Sequence, residues 1–583
     1  MLGFLRLRNV LYLYLCICFV IWIKQKYYSS LKQIFYNTLP PVLTAIVLLG
    51  TLIQLSSIWF NGIQVRNGLY FCCGVPDTIT HVALTSELVR RFPPNEPGFS
   101  TIPLLNYHYL SNLSVADLAR VFKLPLIPTQ YQYMTILLSL LLGLSAIALA
   151  RRLQLGGRVT LWFVFFLYFA GDSIFLLSAI AGNGIQFSLT TLENASTLWI
   201  SPPRFFSLVI LLGGLTLFVQ WIKKRDIYSG VLMALVLGSL IGFKVYVGMF
   251  VLSGFAFLAL YYLFTKQYAK LVPIVLLSCI SFLIFIPVNK NAGGVFFTGF
   301  WRFEDFIVQP VLGLSRLELS RRVYLDHYDF LRAFLYDLLF AFLYIIFSAG
   351  TLLLGVFQTK RSKQQLPKDL TIVLGTGLIS TCIAGFFFMQ ETGGANSSQF
   401  LISIYIAGAL YAGLAISWWT RKLPSVLLFA VSILIICFTS TRVIHDTYVR
   451  MEKILNTIGV VIPPEDLSAY QYFAKTEKGS TILVFNDSDL DCLFIPIFGA
   501  RSTFTCTSGM PGVLSPSLLA ERNRIKETVF FEKDPATVKQ ALSANNISYV
   551  SIPKKNVQET TMSTLSLPVV FETDRIAIYK TTG

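Results

Sequence analysis

Charge is scarce in this sequence, acidic charge above all: 30 Asp and Glu stand against 47 Lys and Arg, and the four kinds together make up only 13% of 583 residues. Soluble domains draw about a quarter of their residues from those four, so the shortage excludes a chain whose whole surface meets water. Histidine is rarer still, with 4, and the 9 cysteines show no metal-binding spacing. That excludes zinc fingers and ribbons, which need Cys and His in close pairs. Cys16, Cys18, Cys279, Cys382 and Cys437 lie inside apolar runs, where Cys behaves as a small hydrophobe. Cys72 and Cys73 are adjacent, and Cys492 and Cys506 share the C-terminal segment, where they can pair if it faces an oxidising compartment. No small-residue cleavage site follows the first apolar stretch, which therefore reads as a retained helix rather than a removed signal peptide.

What the chain has in place of charge is apolar surface, with 55% hydrophobic residues and a mean hydropathy of +0.65. Lipid is its solvent over most of its length. A crossing needs about 20 apolar residues. Twelve are predicted, over 5–23, 40–60, 131–150, 159–180, 204–222, 227–243, 247–264, 271–288, 333–357, 370–389, 399–418 and 424–441. Arg6 and Arg8 make the first the weakest.

Between the spans, basic residues gather at nearly every second turn. The clusters are Lys24, Lys26 and Lys32; Arg151, Arg152 and Arg158; Lys223, Lys224 and Arg225; Lys266 and Lys270; Lys360, Arg361, Lys363 and Lys368; and Arg421 and Lys422. Short loops rich in Lys and Arg stay cytoplasmic. The N-terminus, the loops 61–130, 181–203 and 289–332, and everything after residue 441 are therefore expected outside. The net charge of +17 is explained by these loops and by contact with anionic headgroups, so membrane lipids are expected partners and nucleic acid is not. Five Asn-x-Ser/Thr sequons, at Asn112, Asn194, Asn396, Asn486 and Asn546, fall on the outer side.

The fold class that follows is an α-helical polytopic membrane protein of about twelve transmembrane helices with a C-terminal extracytoplasmic α/β domain. Residues 1–441 make the multi-pass domain and 442–583 the outer one. In loop 61–130, Thr78 to Arg91 reads as a helix that ends before Pro93–Pro94, and Ser114–Asp117 as a capping box opening a second. Short amphipathic helices of this kind suit the membrane interface. In the tail, the pattern predicts helices from Pro464, over 517–531 and over 535–545, and strands over 481–485, 547–552, 568–572 and 576–580. The tail shows no Gly-rich phosphate loop, nucleophile elbow or metal cluster, which points to a structural or acceptor-binding role.

Chemistry-bearing residues fall mainly on the outer side. On a helix, Asp77 and His81 share a face one turn apart. A carboxylate beside an imidazole can take a proton, or the two can share a divalent cation such as Mg or Mn. Equally, Asp77 can simply cap the helix. His108 lies between Tyr107 and Tyr109, either in a binding site or in an interfacial aromatic belt. Lys244 interrupts Gly242–Phe243–Lys244–Val245–Tyr246, where it can snorkel or contact a phosphate at membrane depth. Arg204, Arg302, Arg321 and Arg322 can join it in a cationic rim for an anionic headgroup. Asp172, inside an apolar run, is a functional candidate or a packing hydrogen bond.

These residues resemble those of GT-C-type glycosyltransferases, multi-pass membrane enzymes that use polyprenyl-phosphate-linked sugars. The resemblance lies in Asp77 soon after an early helix, in Phe92–Pro93–Pro94 and Pro103–Leu104–Leu105–Asn106–Tyr107–His108–Tyr109, in the many later spans, and in tail segments such as Ile547–Ser548–Tyr549–Val550. It covers the whole chain as architecture. The chain departs from the pattern in an extra early helix and in Asp77 lacking an adjacent acid. The resemblance implies a polyprenyl-phosphate-linked sugar as donor and a glycan, lipid or protein as acceptor, in a bacterial plasma (inner) membrane. Asp77 would be the general base, and Lys244 and Arg204 would stabilise the leaving phosphate. The alternatives are a transporter or flippase acting through Lys244 and Asp172, an O-antigen ligase or polymerase acting through basic outer-loop residues, and a structural membrane subunit.

Overall fold

Every predicted span corresponds to a helix, but three of the twelve differ from a simple crossing. The computed structural model describes residues 10–24, 39–72, 77–187, 192, 194–290, 294–358, 365–391, 395–485, 490–506, 516–563 and 565–581. Arg6, Arg8, Lys26, Lys32, Cys73, Pro76, Lys360, Arg361, Lys363 and the sequon Asn486 lie outside the described residues. Among the described residues nine helices are long and apolar enough to cross a membrane, and the protein is a multi-pass membrane protein.

The chain opens with α1 (Val10–Lys24), only 15 residues, and α2 (Pro41–Ile58), which starts on a proline whose fixed φ suits a first turn. A hairpin of β1 (Ile63–Val65) and β2 (Gly68–Phe71) leads to the short helices α3 (Asp77–Arg90) and α4 (Leu110–Phe122). Helix α4 begins before Ser114, whose hydroxyl donates to the Leu110 carbonyl at 2.8 Å. The predicted capping box is thus an in-helix back-bond, because the helix already runs from Leu110 and buries Ser111 and Asn112 ahead of Val115.

Helix α5 (Leu126–Arg152) spans and carries a π-helical turn at Thr129–Tyr133. The fourth predicted span is two helices, α6 (Gly157–Phe169) and α7 (Ile174–Ile180), bent by 65°. At the break the Asp172 carboxylate accepts the Ile174 N–H at 3.2 Å, restarting the chain as α7. Then come α8 (Pro202–Lys224), α9 (Ile227–Phe243, 17 residues), α10 (Val245–Phe264) and α11 (Leu271–Phe285). Asp226 caps α9, accepting the Ser229 N–H at 2.8 Å. Beyond β3 (Val295–Phe297), α12 (Trp301–Ile307) and α13 (Ser315–Asp326) run α14 (Phe330–Ala349) and α15 (Lys368–Phe387). After β4 (Phe388–Gln390), which pairs with β3, come α16 (Ile402–Trp419) and α17 (Ser425–Leu455). Helix α17 continues past residue 441, so the change from bundle to sheet falls after Leu455.

The tail is built on the first loop. Strand β5 (Val460–Ile462) pairs antiparallel with β2, giving a sheet of order β1-β2-β5. The approach is close at Gly68, where φ is +138° and a Cβ would meet the Ile462 carbonyl oxygen at 2.0 Å. Helix α18 (Pro464–Tyr472) follows, then β6 (Thr481–Val484), α19 (Asp491–Phe494) and β7 (Ser502–Thr503). The last elements are α20 (Pro516–Phe531), α21 (Pro535–Ala544), β8 (Ile547–Pro553), β9 (Val569–Glu572) and β10 (Ile576–Lys580). A second sheet has the order β7-β6-β8-β10-β9, with β6 parallel to both neighbours and β10 antiparallel to both of its own. Leu483, Val550 and Ile552 of this sheet pack with Val529, Phe530, Val538 and Leu542 of α20 and α21. Each such side chain contributes roughly 1.5–3 kcal/mol by leaving water.

Candidate active site

Helix α3 is short, and its role is to hold two polar groups at one end. Asp77 is its first residue and stays about half exposed, while His81 one turn later is fully buried. Asp77 Oδ2 and His81 Nε2 lie 3.7 Å apart. The imidazole is held on both sides: Nδ1 is 3.2 Å from Asn112 Oδ1 and Nε2 is 3.4 Å from the Tyr107 hydroxyl. The Asn112 amide donates to the His81 carbonyl at 2.8 Å and to Thr85 Oγ1 at 3.0 Å, which fixes its oxygen toward the ring. This network assigns the ring proton to Nδ1 and leaves Nε2 as an acceptor. Burial holds the His81 pKa below 6.5, Asp77 and the Asn112 hydrogen bond work against it, and Lys244 adds to it.

Tyr107 stacks on His108 with ring centroids 4.6 Å apart. Burial, and after it the charges of Asp77 and Glu96, push the Tyr107 phenol well above its usual pKa of 10.0. His108 is held well below 6.5 by burial, then by Lys244 and His81. Its shielded Nε2 has no hydrogen-bond partner among the described residues. Glu96, buried at 1% exposure, is thus a second acid in the same neighbourhood.

Lys244 stands where α9 ends and α10 begins. Its backbone is extended, its N–H closes α9 on the Leu240 carbonyl at 2.8 Å, and its carbonyl accepts from Val247 and Gly248 at 3.1 and 3.0 Å. The ammonium is buried, 3.4 Å from Ser201 Oγ and 5.5 Å from the centre of the Tyr246 ring. Arg204 is also buried and donates to the Thr197 carbonyl at 3.2 Å. The Tyr246 hydroxyl donates to Gln390 Oε1 at 3.1 Å. The charges of Asp77 and Lys244 thus both act on His81, with Asp77 half exposed and Lys244 buried.

The other predicted residues are placed elsewhere. Asp172 is 3.6 Å from Arg442, which is also 2.8 Å from Asp446; Asp446 in turn accepts from the Ser196 hydroxyl. This set joins the α6–α7 break to α17 and shares no partner with His81. Arg302 lies 3.5 Å from Asp305 and donates to the Tyr344 hydroxyl at 3.3 Å. Arg321 meets three carboxylates, Glu318 at 2.8 Å, Glu304 at 2.9 Å and Asp337 at 3.4 Å, and Arg322 shares Glu318 at 2.8 Å. Two sequons have a different role from the one their motif implies: Asn112 and Asn194 are 1% and 3% exposed, so neither can carry a glycan in this fold.

Among the described residues no three His, Cys, Asp or Glu side chains gather as a metal-holding group. Asp77 and His81 alone supply fewer than the three protein ligands of a resident catalytic zinc site. Asn112, Tyr107 and Glu96 went unassigned by sequence reading. The signal for Asn112 was a polar residue on the buried face of α4; Tyr107 stood beside His108 in the resembling segment, and Glu96 had no signal.

Cys492 and Cys506 form a disulfide, with Cα atoms 5.4 Å apart. It lies against the first loop, where a Cβ on Gly98 would meet Cys506 Cβ at 2.3 Å. The Ser86 hydroxyl donates to the Pro496 carbonyl at 2.7 Å, and Ser100 N–H to the Thr503 carbonyl at 2.7 Å. The tail therefore packs directly on the loop that carries Asp77.

No protein-family model matches the chain. No curated protein matches it either. Among solved structures it is similar to the Archaeoglobus fulgidus oligosaccharyltransferase in complex with Zn and sulfate, with 14% identity and a TM-score of 0.48 over 88% of this chain and 68% of that one. The archaeal oligosaccharyltransferase AglB from the same organism, in complex with an inhibitory peptide and a dolichol-phosphate, gives 12% and 0.46 over 88% and 70%. ArnT from Cupriavidus metallidurans, bound to undecaprenyl phosphate, gives 14% and 0.43 over 93% and 97%. The roles assigned to residues of this chain rest on its own geometry.

Proposed function

We propose that the chain is a membrane glycosyltransferase that moves a sugar from a polyprenyl-phosphate donor to an extracytoplasmic acceptor. One observation carries the reading: an exposed carboxylate, Asp77, opens a short helix whose next turn lies near a buried cation, Lys244. A transfer at an anomeric carbon needs that pair, a base for the acceptor and a positive charge for the departing phosphate. Asp77 takes the proton of the acceptor hydroxyl as its oxygen attacks the anomeric carbon. The bond from that carbon to the phosphate oxygen breaks, and Lys244, with Arg204 nearby, stabilises the charge the lipid phosphate gains. His81 Nε2, whose lone pair accepts from the Tyr107 hydroxyl, lies 3.7 Å from Asp77 Oδ2. Here His81 is a positioning residue held by Asn112 and Tyr107.

The reading places the membrane domain at 1–441 with the continuation of α17 beyond it, and the tail on the extracytoplasmic side of a bacterial plasma membrane. The Cys492–Cys506 disulfide supports that sidedness, since such bonds persist in oxidising compartments. The transport alternative needs Asp172 as a mobile charge, and its ion pair with Arg442 favours a structural role instead. The test supplies labelled polyprenyl-phosphate sugars to membranes containing the protein. Label moved to an acceptor supports the proposal. Label that only changes leaflet, with the donor intact, would replace it with flipping.

A further inference from the structure

The far end of α3 carries a second cluster that the transfer reading does not use. A cavity of about 80 Å³ lies where the last turn of α3 meets the tail, lined by Arg90, Arg91, Thr101, Ser480, Arg501 and Ser502 among others. Arg90 and Arg91 share one carboxylate, the buried Glu87: Arg90 Nη2 is 2.5 Å from Oε2, and Arg91 Nε is 2.5 Å from Oε1. Both Glu87 oxygens are thus engaged inside the loop, and Oε1 also accepts the Asn95 N–H at 3.4 Å. Arg501 comes from the tail and is 8% exposed. Its guanidinium donates to the carbonyls of Ala500 at 2.9 Å, Ala474 at 3.3 Å and Thr476, and to Thr476 Oγ1 at 3.2 Å. Among the described residues no carboxylate is within ion-pair distance of it.

Three guanidiniums against one carboxylate leave an excess of two positive charges around a small, partly enclosed space. Arg90 senses both neighbours: burial first, and then Arg91 and Arg501, lower its pKa against the pull of Glu87. Basic residues at a helix C-terminus complement the exposed carbonyls there, which accounts for Arg90 and Arg91. It does not account for Arg501, which arrives from another element 410 positions beyond Arg91, with no acid among the described residues at ion-pair distance. Like charges held together in a low-dielectric cavity are costly unless an anion joins them. Guanidinium groups match tetrahedral oxyanions with paired N–H donors.

We infer that this cavity is an anion site that takes a phosphate-type oxyanion and ties the last turn of α3 to the tail. Helix α3 has 14 residues, so the site lies about 20 Å from Asp77 at 1.5 Å per residue. It is independent of the proposed donor site, and it stands whether or not the chain transfers sugar. The oxyanion is either free phosphate or the phosphate of a larger acceptor, and the probes below separate the two.

The experiment is isothermal titration of the full-length protein in detergent with inorganic phosphate and, separately, glycerol 1-phosphate. The expected result is saturable binding of inorganic phosphate, weakened about tenfold or more by Arg90→Gln and by Thr101→Glu, as the loss of a charge-assisted contact predicts. Both variants leave the carbonyl hydrogen bonds of Arg501 in place, and an unchanged thermal midpoint without phosphate shows that each folds. Lys244→Gln should leave this binding unchanged. Glycerol 1-phosphate binding at the same site identifies an ester-borne phosphate as the ligand, and its exclusion identifies the free ion. No saturable binding, or binding lost in Lys244→Gln but not in Arg90→Gln and Thr101→Glu, overturns the inference.

Discussion

Asp77 and His81 occupy successive turns of one face of α3, with Oδ2 of the first 3.7 Å from Nε2 of the second. One is open to water and the other is sealed by Asn112 and Tyr107. That contrast separates the group that reacts from the group that positions it. His81→Ala leaves the Asn112 oxygen and the Tyr107 hydroxyl without their buried partner. The expected cost is about 2 kcal/mol of stability, read as a lower thermal midpoint of the solubilised protein. Transfer should fall about tenfold in kcat with KM little changed, the signature of a contact that matters in the transition state. An unchanged midpoint would mean that the network does not hold the ring.

Acid should destabilise the protein through two imidazoles, the buried His81 and the half-buried His108. His81 and His108 both have folded pKa values below 6.5, chiefly because burial disfavours the charged ring. The unfolded chain takes up these protons near pH 6.5 and the folded chain resists them, so their contribution is full above that pH and falls as pH drops below it. The thermal midpoint should therefore decline between pH 7.5 and pH 5.5, and His108→Phe should flatten the decline. A midpoint that rises on acidification contradicts the assignment.

Lys244 is the cation whose removal should be felt by the donor. Lys244→Met is expected to lower transfer by about 100- to 1,000-fold, the range of a lost electrostatic contact to a developing charge. Lys244→Arg, which keeps the charge, should recover part of it. Equal activity in all three proteins would move the phosphate contact to another residue.

The tail should depend on its disulfide. The Cys492–Cys506 bond closes a separation of 14 residues, for which loop entropy gives about 3 kcal/mol. Cys506→Ser is expected to lower the unfolding midpoint of the tail, measured by limited proteolysis against temperature. Equal protease resistance in the variant and the wild type would show that β6, β8 and their helices hold the tail without it.

Much of this fold was legible because lipid makes hydropathy a strong signal. Among the described residues the apolar runs are mainly helical, nine of them in helices long enough to cross a membrane, and most tail elements lie within a few residues of their predicted bounds. The misses have physical causes. The bend at Ala170–Ser173 sits in a run whose apolar composition continues across it, so only the lone Asp172 hinted at a restart. Strand β2 became visible only with its partner β5, nearly 400 residues away in the chain. The site was legible in part. Asp77 and His81 follow from helical spacing, and Lys244 from its rarity within an apolar run. Arg302 and Arg321 looked equally available; Asp305 and Glu318 pair with them at helical spacing, and Glu304 and Asp337 reach Arg321 only in three dimensions. Asn112 stood out only as part of a sequon, a motif that says nothing about burial.

The central claim is that Asp77 is the base of a sugar transfer from a lipid phosphate. The most direct measurement compares transfer of labelled sugar in membranes containing wild type with transfer in membranes containing Asp77→Asn at equal expression. The substitution keeps the size of the side chain and its place at the start of α3 while removing its ability to take a proton. The account predicts transfer by the wild type and a loss of about 100-fold or more in the variant, the usual contribution of a positioned base. Transfer by the variant at the wild-type rate would contradict it.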